Sequence, residues 1–66
     1  MTFSDKLKEA RDYSGISQVE LAKMLNVHQS AVSHWEKGVR TPDLETINKI
    51  SHFLGVSVDF LVGTTT

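Results

Sequence analysis

From Ser17 to Arg40 the chain reads SQVELAKMLNVHQSAVSHWEKGVR, two short amphipathic helical patterns separated by a break of about three residues. So short a connection leaves little freedom, because the second helix must cross the first and the side chain at the crossing has to be small. Ala22 fills that position, on the stripe made by Leu21, Ala22 and Leu25. The first pattern opens with Ser17-Gln18-Val19-Glu20, a capping box in which the Ser17 hydroxyl accepts a free backbone N–H and Glu20 reaches back to the Ser17 amide. Asn26 is the expected turn residue, since a reversal this tight calls for a positive φ, and after Gly it is Asn that tolerates one best.

The second pattern runs from His28 to Lys37, with Ala31, Val32 and Trp35 inward and Gln29, Ser30, Ser33, His34 and Lys37 outward. A solvated helix face usually carries Glu/Lys pairs that support the helix. This one offers amide, hydroxyl and imidazole groups, of the kind that pair with base edges in a major groove. Gln29 and Ser30 stand in the first turn, the part of such a helix that enters a groove deepest. Gln29 has the two ends needed for a bidentate pair with adenine N6 and N7. Ser33 and His34 continue the same face one turn later, completing the candidate base-reading set.

Five segments together resemble the XRE-type helix-turn-helix domain, the lambda-repressor-like fold of phage repressors and their bacterial relatives. They are Leu7-Lys8-Glu9-Ala10-Arg11, Gly15-Ile16-Ser17-Gln18-Val19-Glu20-Leu21-Ala22, Val32-Ser33-His34-Trp35-Glu36-Lys37-Gly38, Arg40-Thr41-Pro42 and Leu54-Gly55-Val56-Ser57-Val58-Asp59-Phe60-Leu61. Asn26 stands where that family most often has Gly, and His28 where it usually has a Ser or Thr cap. The resemblance implies an all-α, compact five-helix domain with its helix-turn-helix at residues 17–37. It also implies a backbone contact from Gln18 and a salt bridge between Arg11 and Glu36 that braces the reading helix from behind.

The rest of the chain fits that plan. With 66 residues there is one expected domain, 1–66, near the lower size that folds without staples. Having no cysteine, it has no disulfide framework and no zinc-thiolate site. Thr2 with Asp5 should cap a first helix whose inward positions are Phe3, Leu7, Ala10 and Tyr13, ending at Gly15. Gly38 should close the third helix, and Pro42 suits the first turn of a fourth. That fourth helix has Leu44, Ile47, Ile50 and Leu54 as its buried stripe and stops at Gly55. Ser57 caps a last helix carrying Val58, Phe60, Leu61 and Val62, after which Gly63 and three threonines should fray. Neither a membrane-length apolar run nor a signal-peptide pattern is present, so a cytoplasmic location is the expectation.

Charge is the awkward feature: Lys plus Arg number 7 against 8 Asp plus Glu, whereas a DNA binder is expected to be basic. Residues 28–41, however, hold Lys37 and Arg40 against Glu36 alone. Lys37, the Gly38 amide, Arg40 and Thr41 follow the reading helix and are the expected phosphate contacts, joined by Gln18 at the start of the preceding helix. His28 has two competing roles, cap or phosphate contact. His28 and His34 are six apart with no Cys and no HxxxH pair, so no metal and no cofactor are expected. Phe53, Val58, Phe60 and Val62 are hard for so short a chain to hide, and form a candidate dimer surface.

Two functional classes stay open. One is a dimeric transcriptional regulator, a repressor by preference, binding double-stranded DNA at a palindromic operator. The other is an antitoxin-like or adaptor module that uses the same fold to bind protein. No nucleophile elbow, glycine-rich phosphate loop or metal spacing points to an enzyme.

Overall fold

The computed structural model describes residues 2–63, which form five α-helices: α1 (Phe3–Ser14), α2 (Gln18–Leu25), α3 (Gln29–Glu36), α4 (Leu44–Leu54) and α5 (Val58–Val62). The fraying expected of the final threonines lies outside the described residues. Among those residues no helix is long and apolar enough to cross a membrane.

The helix starts follow from their caps. Thr2 and Asp5 form a capping box on α1, Ser17 and Glu20 another on α2, and Asp43 and Ser57 accept from the Thr46 and Phe60 amides at 2.9 Å each. α3 is the exception, because its cap residue His28 makes no side-chain capping bond. Of the two roles open to His28, the cap is therefore the one the structure does not use. Asn26 takes φ 59° at the end of α2, the left-handed geometry that lets the chain reverse into α3. α3 itself ends at Glu36, two residues before the glycine: Lys37 caps it in right-handed geometry, and Gly38 supplies the turn at φ 76°.

Each helix contributes to one core: Leu7 and Ala10 from α1, Leu21, Ala22 and Leu25 from α2, Val32 and Trp35 from α3, Ile47, Ile50 and Leu54 from α4, and Leu61 from α5. Leu7, Leu21, Val32, Ile50 and Leu61 are wholly buried, each contributing roughly 1.5–3 kcal/mol of hydrophobic stabilisation. α3 packs on both α2 and α1, so its outward face is set by what lies behind it. The Ser14 hydroxyl donates to the Leu54 carbonyl at 3.0 Å and ties the end of α1 to the end of α4.

Two expectations about burial and one about a helix start need correction. Tyr13 is 88% exposed, because the heptad-like series Phe3, Leu7, Ala10 continues at Ser14, whose hydroxyl meets α4. Leu44 is 65% exposed although it falls in phase with Ile47 and Ile50. As the first residue of α4 its side chain leans back past the helix end, where there is no core to meet. Pro42 is buried but sits before the Asp43 cap rather than inside the first turn.

Candidate nucleic-acid interface

The 3.6-residue period divides α3 into a buried stripe and two functional flanks. Ser30, His34 and Lys37 lie opposite Val32 and Trp35, exposed to solvent. Gln29, Ser33 and Glu36 share the other flank. Gln29 is exposed, whereas Ser33, which lies between the two along that flank, is half-buried. Ser33 is thus less outward than its place in the sequence pattern implies.

On the open side, His28, Ser30, His34, Arg40 and Thr41 come together with Val27, Ala31 and Trp35 around one shallow groove. Gly38, Arg40 and Thr41 border a second depression with Thr2, Phe3 and Ser4. The loop after α3 therefore brings the expected phosphate-contacting residues beside the reading helix. Among the described residues, Ser30, His34, Lys37 and Arg40 have no side-chain hydrogen bond or ion pair within the molecule, so their donors remain available. The Gly38 amide differs. It donates to the Trp35 carbonyl at 3.2 Å, as Val39 and Arg40 donate to that of His34 at 3.0 and 3.4 Å. These loop amides hold the turn in shape, and the cationic side chains of Lys37 and Arg40 are what the loop presents outward.

Behind α3 lies a fork. Arg11 Nε donates to Glu36 Oε2 at 2.7 Å and Arg11 Nη2 to Glu36 Oε1 at 3.2 Å, while Nη1 caps the Ile16 carbonyl at 2.9 Å. This bidentate pair joins α1 to the end of α3, with only 14% of the Arg11 side chain and 5% of the Glu36 side chain accessible. The hydrogen bond to Glu36 raises the Arg11 pKa despite partial burial. For Glu36, burial opposes ionisation, but hydrogen bonds from Arg11 and Gln18 and the nearby positive charge outweigh it, leaving the carboxyl below its ordinary value. Glu20 is also lowered, chiefly by the Ser17 backbone amide it caps.

Gln18 is the residue whose role the sequence did not reveal. Its Nε2 donates to Glu36 Oε1 at 3.0 Å, and its Oε1 accepts from Gln29 Nε2 at 3.4 Å. The side chain expected to grip a phosphate thus already links the brace to the first turn of α3. One Nε2 hydrogen and the free backbone N–H groups of the α2 start remain. No local spacing encodes this, since the partners are 18 and 11 residues away.

The candidate dimer residues Phe53, Val58, Phe60 and Val62 are half-buried and packed against the core. Phe60 lies under the Lys6 ammonium, 4.5 Å from its ring centre, and borders a groove with Glu9, Ala10, Tyr13 and Val56. Phe53 meets His52 edge-on at 5.9 Å. These side chains are less free than the sequence implied, because the short α5 packs on α1 and α4.

A helix-turn-helix family model matches residues 7–61. Among curated relatives, the HTH-type transcriptional regulator ImmR of Bacillus subtilis is 40% identical over 63 residues, covering 96% of this chain and 50% of its own length. The chain thus spans about half of that relative. The control protein C.BamHI of Bacillus amyloliquefaciens is 36% identical over 67 residues, covering 100% of this chain and 83% of its own. Of solved structures, the P22 c2 repressor in complex with a synthetic operator superposes with a TM-score of 0.89 at 28% identity, covering 98% of both chains. α2, the left-handed turn at Asn26 and α3 are the elements that give the family its name, and this chain belongs to the XRE-type helix-turn-helix family, on the lambda-repressor-like fold.

Proposed function

We propose that the chain binds double-stranded DNA sequence-specifically, with α3 in the major groove, and serves in the cytoplasm as the DNA-binding domain of a transcriptional regulator, a repressor by preference. The observation that carries this reading is the outer face of α3. Ser30 and His34 stand open beside Lys37 and Arg40 with their hydrogen-bonding groups unused, Gln29 keeps one amide hydrogen and its carbonyl, and a largely inaccessible ion pair fixes the helix from behind. Support also comes from the P22 c2 repressor, a protein of matching fold solved in complex with a synthetic operator.

In this reading Gln29, Ser30, Ser33 and His34 meet base edges. Gln18, His28, Lys37, Arg40, Thr41 and the Gly38 turn meet the backbone. Two copies pair through Phe53, Val58, Phe60 and Val62, setting two reading helices about 34 Å apart, one turn of B-DNA. A docked domain of this size blocks polymerase without any catalytic group.

Selection of binding sites from random duplexes at two salt concentrations tests the proposal. The expected product is an inverted repeat with half-sites one helical turn apart. A pool with no enriched sequence would reject DNA readout and favour the protein-interaction module. Sedimentation showing one copy both alone and on DNA would reject the dimer.

A further inference from the structure

We infer that the ionised Glu36 carboxylate, acting through Gln18, fixes which end of the Gln29 amide faces the groove, making Glu36 a positioning residue for base choice as well as half of a brace. The inference rests on the reading of Gln29 as a base-contacting residue.

An ionised carboxylate only accepts. Glu36 Oε2 takes the Arg11 Nε hydrogen, and Oε1 takes those of Arg11 Nη2 and Gln18 Nε2. Gln18 must therefore turn its NH2 end to Glu36, which leaves its carbonyl oxygen on the opposite side. That oxygen can only accept, so Gln29 turns its own NH2 end inward, at 3.4 Å. What Gln29 then presents is its carbonyl oxygen with one remaining N–H. This order suits adenine, which pairs a donor at N6 with an acceptor at N7.

Geometry makes the relay possible. Gln29 and Glu36 are seven residues apart, so two turns of α3 place them on one flank, and Gln18 at the start of α2 spans the gap. The Glu36 side chain is 5% exposed, so water is a poor substitute for its own partners Arg11 and Gln18, while the Gln18–Gln29 bond lies at the surface. Reversing the chain of amides would make the Gln29 oxygen accept from Gln18 and leave both of its N–H groups outward. Two donors suit guanine, whose O6 and N7 both accept. The charge at the other end of this flank of α3, two turns from Gln29, thus sets a donor–acceptor order in the groove.

Gln29→Ala first identifies the base pair that Gln29 reads, by loss of preference at one position of the selected site. Glu36→Gln is then measured on the duplexes carrying each base pair at that position. A neutral amide at 36 permits the relay to run in either direction. The expected result is that the preference for adenine, on the order of tenfold in the wild type, falls to about twofold or passes to guanine, while preferences at other positions persist. If Glu36→Gln does not fold, the double replacement Arg11→Met/Glu36→Leu removes the same orienting charge and predicts the same local loss.

Affinity lowered equally on all sequences, with adenine preference intact, would overturn the inference and leave Glu36 a brace alone. Failure of Gln29→Ala to alter any single position would instead remove the base-reading assignment itself. A DNA-free measurement separates the two: the side-chain amide resonances of Gln18 and Gln29 should shift together as Glu36 is protonated at acid pH. If the Gln29 signal stays fixed while that of Gln18 moves, the relay does not exist.

Discussion

Arg11→Met isolates the energetic role of the brace. The substitution removes the bidentate partner of a carboxylate whose side chain is only 5% accessible, leaving Gln18 as its one donor, and it also uncaps the Ile16 carbonyl. Breaking a buried pair from one side costs about 3–5 kcal/mol, because the other charge stays desolvated. A chain of 66 residues has a total stability of roughly 3–10 kcal/mol. Arg11→Met should therefore lose a large share of its fold, lowering the melting temperature by about 12 °C or more at 4–8 °C per kcal/mol. Arg11→Met/Glu36→Leu should recover most of that loss, because it leaves no unpaired charge inside. Acid provides an independent arm. The folded Glu36 carboxyl lies below its unfolded value, so its contribution is present above about pH 4.3 and disappears as pH falls through the lower, folded value. The raised Arg11 value contributes across all lower pH and titrates only in strong alkali. Urea unfolding followed by circular dichroism at neutral pH and at pH 3 reads both effects. A penalty under about 1 kcal/mol for Arg11→Met would refute the reasoning, since that is the range of a solvated surface pair.

Further consequences can be checked on the same protein. Ala22→Leu should destabilise by about 1–3 kcal/mol in urea melts, because Ala22 is 3% exposed where α2 packs on its neighbours, and extra methylenes in a packed site force side chains and backbone to shift. Asn26→Gly should be close to neutral while Asn26→Ala loses about 1 kcal/mol, the signature of a residue held at φ 59°; equal stability of the two would exclude strain there. For DNA binding, Arg40→Ala should flatten the slope of log affinity against log salt by about 0.9 per protomer. An unchanged slope would remove Arg40 from the phosphate contacts.

The chain advertises its helix ends and its inward stripes because both are local. Capping boxes at Thr2/Asp5 and Ser17/Glu20, the left-handed Gly15 and Asn26, and the buried series Leu21, Ala22, Leu25 or Ile47, Ile50, Leu54 all depend on residues a few positions apart. Periodicity loses its authority at helix ends, where Leu44 keeps phase with the core yet points past it, and between neighbouring positions such as Tyr13 and Ser14, where the better-matched residue is the polar one. It is silent on Gln18. Whether that amide faces solvent or Glu36 is decided by how α1, α2 and α3 meet, and no interval within a helix encodes it.

The same three-helix junction bears on the chain's neutral charge. Seven basic and eight acidic residues would be a poor endowment for gripping phosphate if all were equally placed. They are not. Glu36, the one acid between residues 28 and 41, is turned inward and compensated by Arg11 from the opposite side of α3. Lys37 and Arg40, unpaired among the described residues, are left to set the sign of the surface outside. Asp43 and Glu20 act at helix starts, where their charge favours the exposed amides they cap. Net charge averages over the whole surface, exposed acids such as Glu20 and Asp43 included, whereas a polyanion approaching the face of α3 meets Lys37 and Arg40 with the one acid of residues 28–41 turned inward.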